Sequence, residues 1–362
     1  MKNISILVVC LAIGIIPIFI LLFFLPQKKV ALDNGFNRNF ISSPLSNEKS
    51  LDLKYNSYYL AGINQNEIYL GNFHVQDFLL KTDYFLNDTQ RIDLDIPFHS
   101  SDENKRFKTL VDSSSVFIYE NQTPAIMLGT FPSLDYLQPN LEGHWFSTAI
   151  PLGVSSMVVS SYDTAYKQTV IRNISYDHLD NSPTYLLERQ VDGVFCVDGI
   201  LLYNKDLKQI LYVYFYRNQF VGLNSAMNVL YKGNTIDTLS NPDIQVTTIK
   251  SEHRRTLINQ PTIVNKRAAT YDNLLFIQSG LKADNEAVED FKNNDVIDLY
   301  LLDDQSYLAS FYIPKFKKER MHQFKVIEGK IVLIYGHYLV TYDLSMDLMA
   351  LSDKHTRSSN NG

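Results

Sequence analysis

Leu274 to Pro314 reads LLFIQSGLKADNEAVEDFKNNDVIDLYLLDDQSYLASFYIP, and its pattern decides the fold. Leu274-Leu275-Phe276-Ile277 is apolar without interruption and reads as the inner strand of a blade, covered on both faces. Val296 to Leu302 alternates more and stops at Asp303-Asp304-Gln305, a hairpin tip. Tyr307 to Pro314 follows as a half-exposed strand ended by proline. Such a succession describes antiparallel β-structure of the propeller kind. The interruption, Lys282 to Asn293, places Asp284 as an N-cap with Ala287, Val288 and Phe291 at helical spacing. It predicts a short helix inserted within the blade, at a rim, with Glu289 and Asp290 on its solvated face.

Working outward, comparable apolar runs begin at Ile68, Val116, Met157, Ile210 and Ile331. Their spacing brackets the roughly 40–50-residue period of propeller blades with room for insertions. The run at Ile331 has its own alternating partner, Tyr338 to Leu344. Six such units fit the length, with the first and last able to share one blade, and a seventh could be accommodated. The expected class is therefore all-β, a six-bladed or possible seven-bladed β-propeller over residues 52–350. Tandem β-sandwiches would supply the same strand count, but no composition break divides the chain. The 23 Tyr and 21 Phe suit packing between sheets, where each aromatic side chain buries about 150–250 Å².

The amino-terminal end has a different solvent. Ile4 to Pro26, ISILVVCLAIGIIPIFILLFFLP, is uncharged, and at about 1.5 Å rise per residue it is long enough for a hydrocarbon core of roughly 30 Å. No A-x-A-like cleavage site follows, so residues 1–26 read as an uncleaved signal-anchor transmembrane helix rather than a secretory leader. Lys2 on one side and Lys28 and Lys29 on the other nearly balance the positive-inside bias. Long domains after such a span are usually exported, which places the domain in the periplasm and the anchor, single-pass, in the inner membrane. Residues 27–51 are rich in Asn, Ser and Lys and read as a flexible tether reaching about 25–30 Å. Residues 351–362 read as a disordered tail.

Chemistry is sparsely signalled. Walker, dinucleotide, G-x-S-x-G and H-E-x-x-H patterns are absent from the sequence. The eight histidines are scattered singly, and no metal or other cofactor is expected. Cys10 and Cys196 offer no disulfide within the domain. Asp192-Gly193 and Asp198-Gly199 suit type I′ hairpin turns. The short basic clusters His253-Arg254-Arg255, Lys266-Arg267 and Lys315 to Arg320 read as solvated loops, with contact to acidic headgroups or an acidic partner as the alternative. With a net charge of -6 the chain is not expected to bind nucleic acid.

Leu187 to Phe195 (LERQVDGVF), Tyr214 to Gln219 (YFYRNQ), Val264-Asn265-Lys266 and Thr270 to Leu274 (TYDNL) carry a resemblance. The chain resembles an uncharacterised Bacteroidota family of exported, membrane-anchored, TolB-like β-propeller proteins. The resemblance implies an envelope location and a propeller, and it brings no catalytic residues. It points to Arg217, Asn218, Asn265 and Lys266 as polar residues beside apolar runs. These either hydrogen-bond loop carbonyls and neighbouring blades or face the central channel and bind a ligand. The expected function is a binding or scaffolding module that docks an envelope protein. A propeller enzyme with a site assembled from several blades, and an envelope sensor acting on a neighbouring membrane protein, are the alternatives.

Overall fold

A computed structural model of the chain describes residues 34–64, 66–96, 107–120, 125–131, 133–139, 141, 143–176, 182–249 and 254–349. The apolar segment Ile4–Pro26 and the tail lie outside them. Among the described residues no helix is long and apolar enough to cross a membrane.

The first strand, β1 (Leu45–Asp52), belongs to the last sheet of the chain. Blade 1 follows with β2 (Tyr58–Asn64), β3 (Glu67–Asn72), β4 (Phe78–Asp83) and β5 (Thr89–Asp93). Blade 2 has β6 (Phe107–Asp112), β7 (Ser115–Glu120) and β8 (Ala125–Thr130), edged by a single bridge between Leu128 and Leu137. Blade 3 has β9 (Thr148–Pro151), β10 (Ser156–Asp163), β11 (Gln168–Ser175) and β12 (Thr184–Leu186). Blade 4 has β13 (Gly199–Asn204), β14 (Gln209–Tyr214), β15 (Gln219–Leu223) and β16 (Val229–Asn234). A separate hairpin, β17 (Val246–Ile249) and β18 (Arg254–Leu257), follows blade 4 in the chain and packs Val246 and Leu257 against the cluster joining blades 3 and 4. Blade 5 has β19 (Asn265–Tyr271), β20 (Leu274–Ser279), helix α1 (Val288–Asn293), β21 (Asn294–Leu301) and β22 (Tyr307–Pro314). Blade 6 has β23 (Met321–Ile327), β24 (Lys330–Tyr335) and β25 (Tyr338–Leu344), and β1 completes it by pairing antiparallel with β25.

This is a six-bladed β-propeller, and the tandem-sandwich alternative falls with the ring of packed interfaces. Leu275 and Ile277 of β20 pack against Leu211, Val213 and Phe220 of blade 4. Leu274 and Phe276 of the same strand pack against Leu333, Tyr335 and Val340 of blade 6. β24 divides likewise, with Val332 and Ile334 turned to Leu60, Ile68 and Leu70 of blade 1. The remaining apolar clusters join blades 1 and 2, 2 and 3, and 3 and 4, so the ring closes. Each side chain fully buried there stabilises the fold by about 1.5–3 kcal/mol.

Three sequence expectations are corrected. The six apolar runs are the second strands of their blades, not the inner ones. A second strand is hydrogen-bonded along both edges and covered on both faces by neighbouring blades, so its central run is apolar on both faces. The innermost strand borders the channel and carries polar residues, as in β19, NKRAATY.

Nor does the tether extend to residue 51, because the described part of it, residues 34–51, is bound to the propeller. Asn34 and Gly35 donate backbone N–H bonds to the Asp284 carboxylate at 2.8 and 2.9 Å, and Ile41 donates to the Ser310 carbonyl at 2.9 Å. Arg38, buried, gives Nε and Nη2 to the two oxygens of Asp298 at 2.7 and 3.0 Å and pairs through Nη1 with Glu286. This strap runs along the outer edge of blade 5, and β1 continues along the outer edge of blade 6. Asp284 is thereby engaged with the strap and does not cap α1, whose N-cap is Ala287 without a side-chain bond. The helix itself does sit inside blade 5 as its sequence predicts.

Candidate binding site at the propeller mouth and channel

Strands within a blade alternate in direction. The connections entering each blade and the turn between its second and third strands therefore lie at one end of the ring, here called the mouth. Arg217 and Asn218, in the β14–β15 turn, and Asn265 and Lys266, at the start of β19, all fall there.

Asn218 and Asn265 hold the scaffold together. Asn265 donates from Nδ2 to the Tyr214 and Arg217 carbonyls at 2.8 and 3.0 Å, fastening blade 5 to blade 4. Asn218 donates from Nδ2 to the Asp237 carbonyl at 2.6 Å. Arg217 is 1% exposed, stacks its guanidinium 3.6 Å from the Tyr214 ring centroid, and donates from Nη2 to the Glu188 carbonyl at 3.0 Å. Its Nε and Nη1 are buried without a partner among the described residues.

Lys266 is exposed and is joined at the mouth by residues far away in sequence. Its ammonium interacts electrostatically with Asp295, Arg267, Arg320 and Lys315, and lies 5.9 Å from the Phe291 ring. Desolvation pushes Lys266 below the ordinary lysine range, the neighbouring cations add to this, and Asp295 opposes it. Arg267 donates from Nη1 to Gln278 Oε1 at 2.7 Å, and Gln278 Nε2 donates to Asp295 Oδ1 at 2.7 Å. Two basic runs that read separately in sequence, Lys266-Arg267 and Lys315 to Arg320, thus meet around one acidic residue.

Sequence reasoning missed a second set, inside the channel. Lys108 on β6, Lys325 on β23 and Lys205, just after β13, interact electrostatically together with Asp112 at the end of β6. Lys205 is ion-paired with Asp112. Burial, with Lys205 and Lys108 nearby, pushes Lys325 down to about 8, against the pull of Asp112. Burial likewise lowers Lys108. A lone lysine in the strand just before an apolar run, as in FKTLVD and MHQFKVI, is the signal that could have found them.

The Asp-Gly pairs close no hairpin. Asp192 accepts from the backbone N–H groups of Val194, Phe195 and Cys196 and so organises the loop entering blade 4. Gly199 begins β13, where a Cβ would come 2.4 Å from the Val213 carbonyl oxygen. Asp303 and Asp304 do occupy the β21–β22 turn, and Glu289 and Asp290 are exposed on α1. His337 Nδ1 lies 2.8 Å from Asp52 Oδ1. Among the described residues no three His, Cys, Asp or Glu side chains are grouped to hold a metal ion. A cleft of about 190 Å³ on blade 3, beside Trp145 and Tyr162, contains Arg172 and Asp163 already paired with each other.

No protein-family model matches the sequence, and no curated protein does. Among solved structures, a member of the DUF4221 family from Bacteroides vulgatus is similar with a TM-score of 0.51 and 11% identity, covering 85% of this chain and 99% of that one. A virginiamycin B lyase from Staphylococcus aureus, in a catalytically inactive form with quinupristin, gives 0.46 and 11% identity over 83% and 99% of the two chains. BamB from Moraxella catarrhalis gives 0.39 and 10% identity over 79% and 82%. At these identities the likeness is one of fold.

Proposed function

We propose that this chain is a membrane-tethered binding or scaffolding propeller of the cell envelope, anchored in the inner membrane through Ile4–Pro26 with its domain in the periplasm. Its mouth docks an acidic envelope partner. The observation that carries the docking reading is the meeting at Lys266 of Arg267, Lys315 and Arg320, with Asp295 as the opposing charge. In a chain of net charge -6 such a cluster is a local field, not a general excess of cations. Clustered charge of one sign raises the encounter rate with an oppositely charged partner and fixes its orientation.

Crosslinking of the full-length chain in cells, followed by its purification from envelope membranes, tests the reading. A defined partner should be recovered with the native chain and lost when Lys266→Glu and Arg320→Glu are combined. Equal recovery from both chains, or none from either, would remove the basis for docking at the mouth. A reporter enzyme active only outside the cytoplasm, fused after Gly362, should be active; an inactive, stably produced fusion would contradict the periplasmic placement.

A further inference from the structure

The channel lysines are independent of the docking surface. Lys108, Lys205 and Lys325 come from blades 2, 4 and 6, alternate members of the ring. Asp112 is the last residue of β6 and Lys205 follows the last residue of β13. Their ion pair therefore bridges blades 2 and 4 past the short inner strand of blade 3, at the end of the channel away from the mouth. Lys325 stands above this floor on β23, half-buried, and Lys108 reaches in from the upper part of β6, 5.7 Å from the Tyr59 ring. Neither Lys108 nor Lys325 has a carboxylate or hydrogen-bond acceptor of its own among the described residues.

Three ammonium groups facing one carboxylate leave two positive charges uncompensated; Lys205 is exposed at the floor, whereas Lys108 and Lys325 are half-buried, where like charges repel more strongly than in water. A fold that holds such groups together is complementary to the charge that would neutralise them. Two surplus charges match a dianion. Ammonium groups are point donors that can surround a tetrahedral oxyanion, whereas a planar carboxylate suits the fork of arginine. We propose that the channel binds a phosphate dianion, either inorganic phosphate or the terminal phosphate of a monoester, held by Lys325, Lys108 and Lys205 above the Lys205–Asp112 pair.

Isothermal titration calorimetry on the full-length chain in detergent tests this with inorganic phosphate, glycerol phosphate and succinate as probes. Phosphate should bind, succinate should not, and glycerol phosphate separates the sources, binding at least as tightly if the natural ligand is a monoester. Lys325→Met should weaken phosphate binding by at least about tenfold, through the loss of one charge-assisted contact. Lys325→Arg should retain it, and Lys49→Met on the outer strand should leave it unchanged. Absence of phosphate binding, equal binding of succinate, or undiminished binding by Lys325→Met would overturn the proposal. If Lys325→Met does not fold, Lys108→Met carries the same criterion. No partner protein is needed, so the result stands apart from whether the mouth docks one.

Discussion

Arg38 and Arg217 are both buried arginines, and their surroundings give opposite expectations. Arg38 satisfies Asp298 and Glu286 together and also reaches the Leu281 carbonyl. Replacing it leaves two carboxylates buried without their counter-charge, so Arg38→Met should cost about 3–5 kcal/mol, read from the urea midpoint. Among the described residues Arg217 forms no salt bridge to a carboxylate, and its Nε and Nη1 are unsatisfied. Arg217→Met should stay within about 1 kcal/mol of the native chain, because the lost Glu188 contact is offset by removing a buried charge. A large loss would mean that Nε and Nη1 have partners in solution. Lys325 adds a pH dependence. Its folded value of about 8 lies below that of the unfolded chain, where a lysine titrates near 10.4. Between these values the unfolded state binds the extra proton, so this group makes stability rise with pH there, while below about 8 its full penalty is present. The rise in melting temperature between pH 8 and about pH 9.5 should be smaller in Lys325→Met, and an equal rise would show that Lys325 is not depressed.

At the scale of strands, legibility followed burial. The six second strands stand out in the sequence because both their faces are dry, and their spacing alone indicated blades. Their inner neighbours did not stand out, since one side borders the channel and tolerates lysine. β1 reads as tether because LSNEKSLD is mostly polar, as suits a strand exposed along most of its length. Its place is fixed by backbone pairing with β25, which leaves no hydrophobic pattern in the sequence. Arg38, although buried, is likewise anchored by partners some 250 residues away that no local pattern reveals. The strap and β1 together close the ring. A chain beginning at Asn34 should unfold in one cooperative transition, followed by circular dichroism, whereas a chain beginning at Leu53 should lose that cooperativity. Equal transitions would show that the ring does not depend on β1. Close approach imposes a further limit at Gly62 of β2, where a Cβ would lie 2.1 Å from the Val111 carbonyl oxygen of blade 2. Gly62→Ala should cost about 1–3 kcal/mol or more, because blades 1 and 2 must separate to admit it.

At the scale of the molecule, six apolar interfaces form a closed circuit, and charge is sorted by position rather than by amount. The mouth was partly legible: Arg217, Asn218, Asn265 and Lys266 stand out as polar residues beside apolar runs, and all four lie at one end of the ring. Their division of labour was not. Asn218 and Asn265 are spent on backbone carbonyls, and Lys266 gains its setting from Lys315, just after the last strand of its own blade, and from Arg320, at the entry to the next. The channel lysines were illegible for the same reason, each coming from a different blade. The most direct test of the docking surface is site-specific photocrosslinking of the full-length chain in cells, with the probe placed at Lys317 beside the mouth or at Lys208 in the β13–β14 turn at the opposite end. A discrete adduct from Lys317 and none from Lys208 is the expected result. Adducts of equal yield from both positions, or from Lys208 alone, would contradict docking at the mouth.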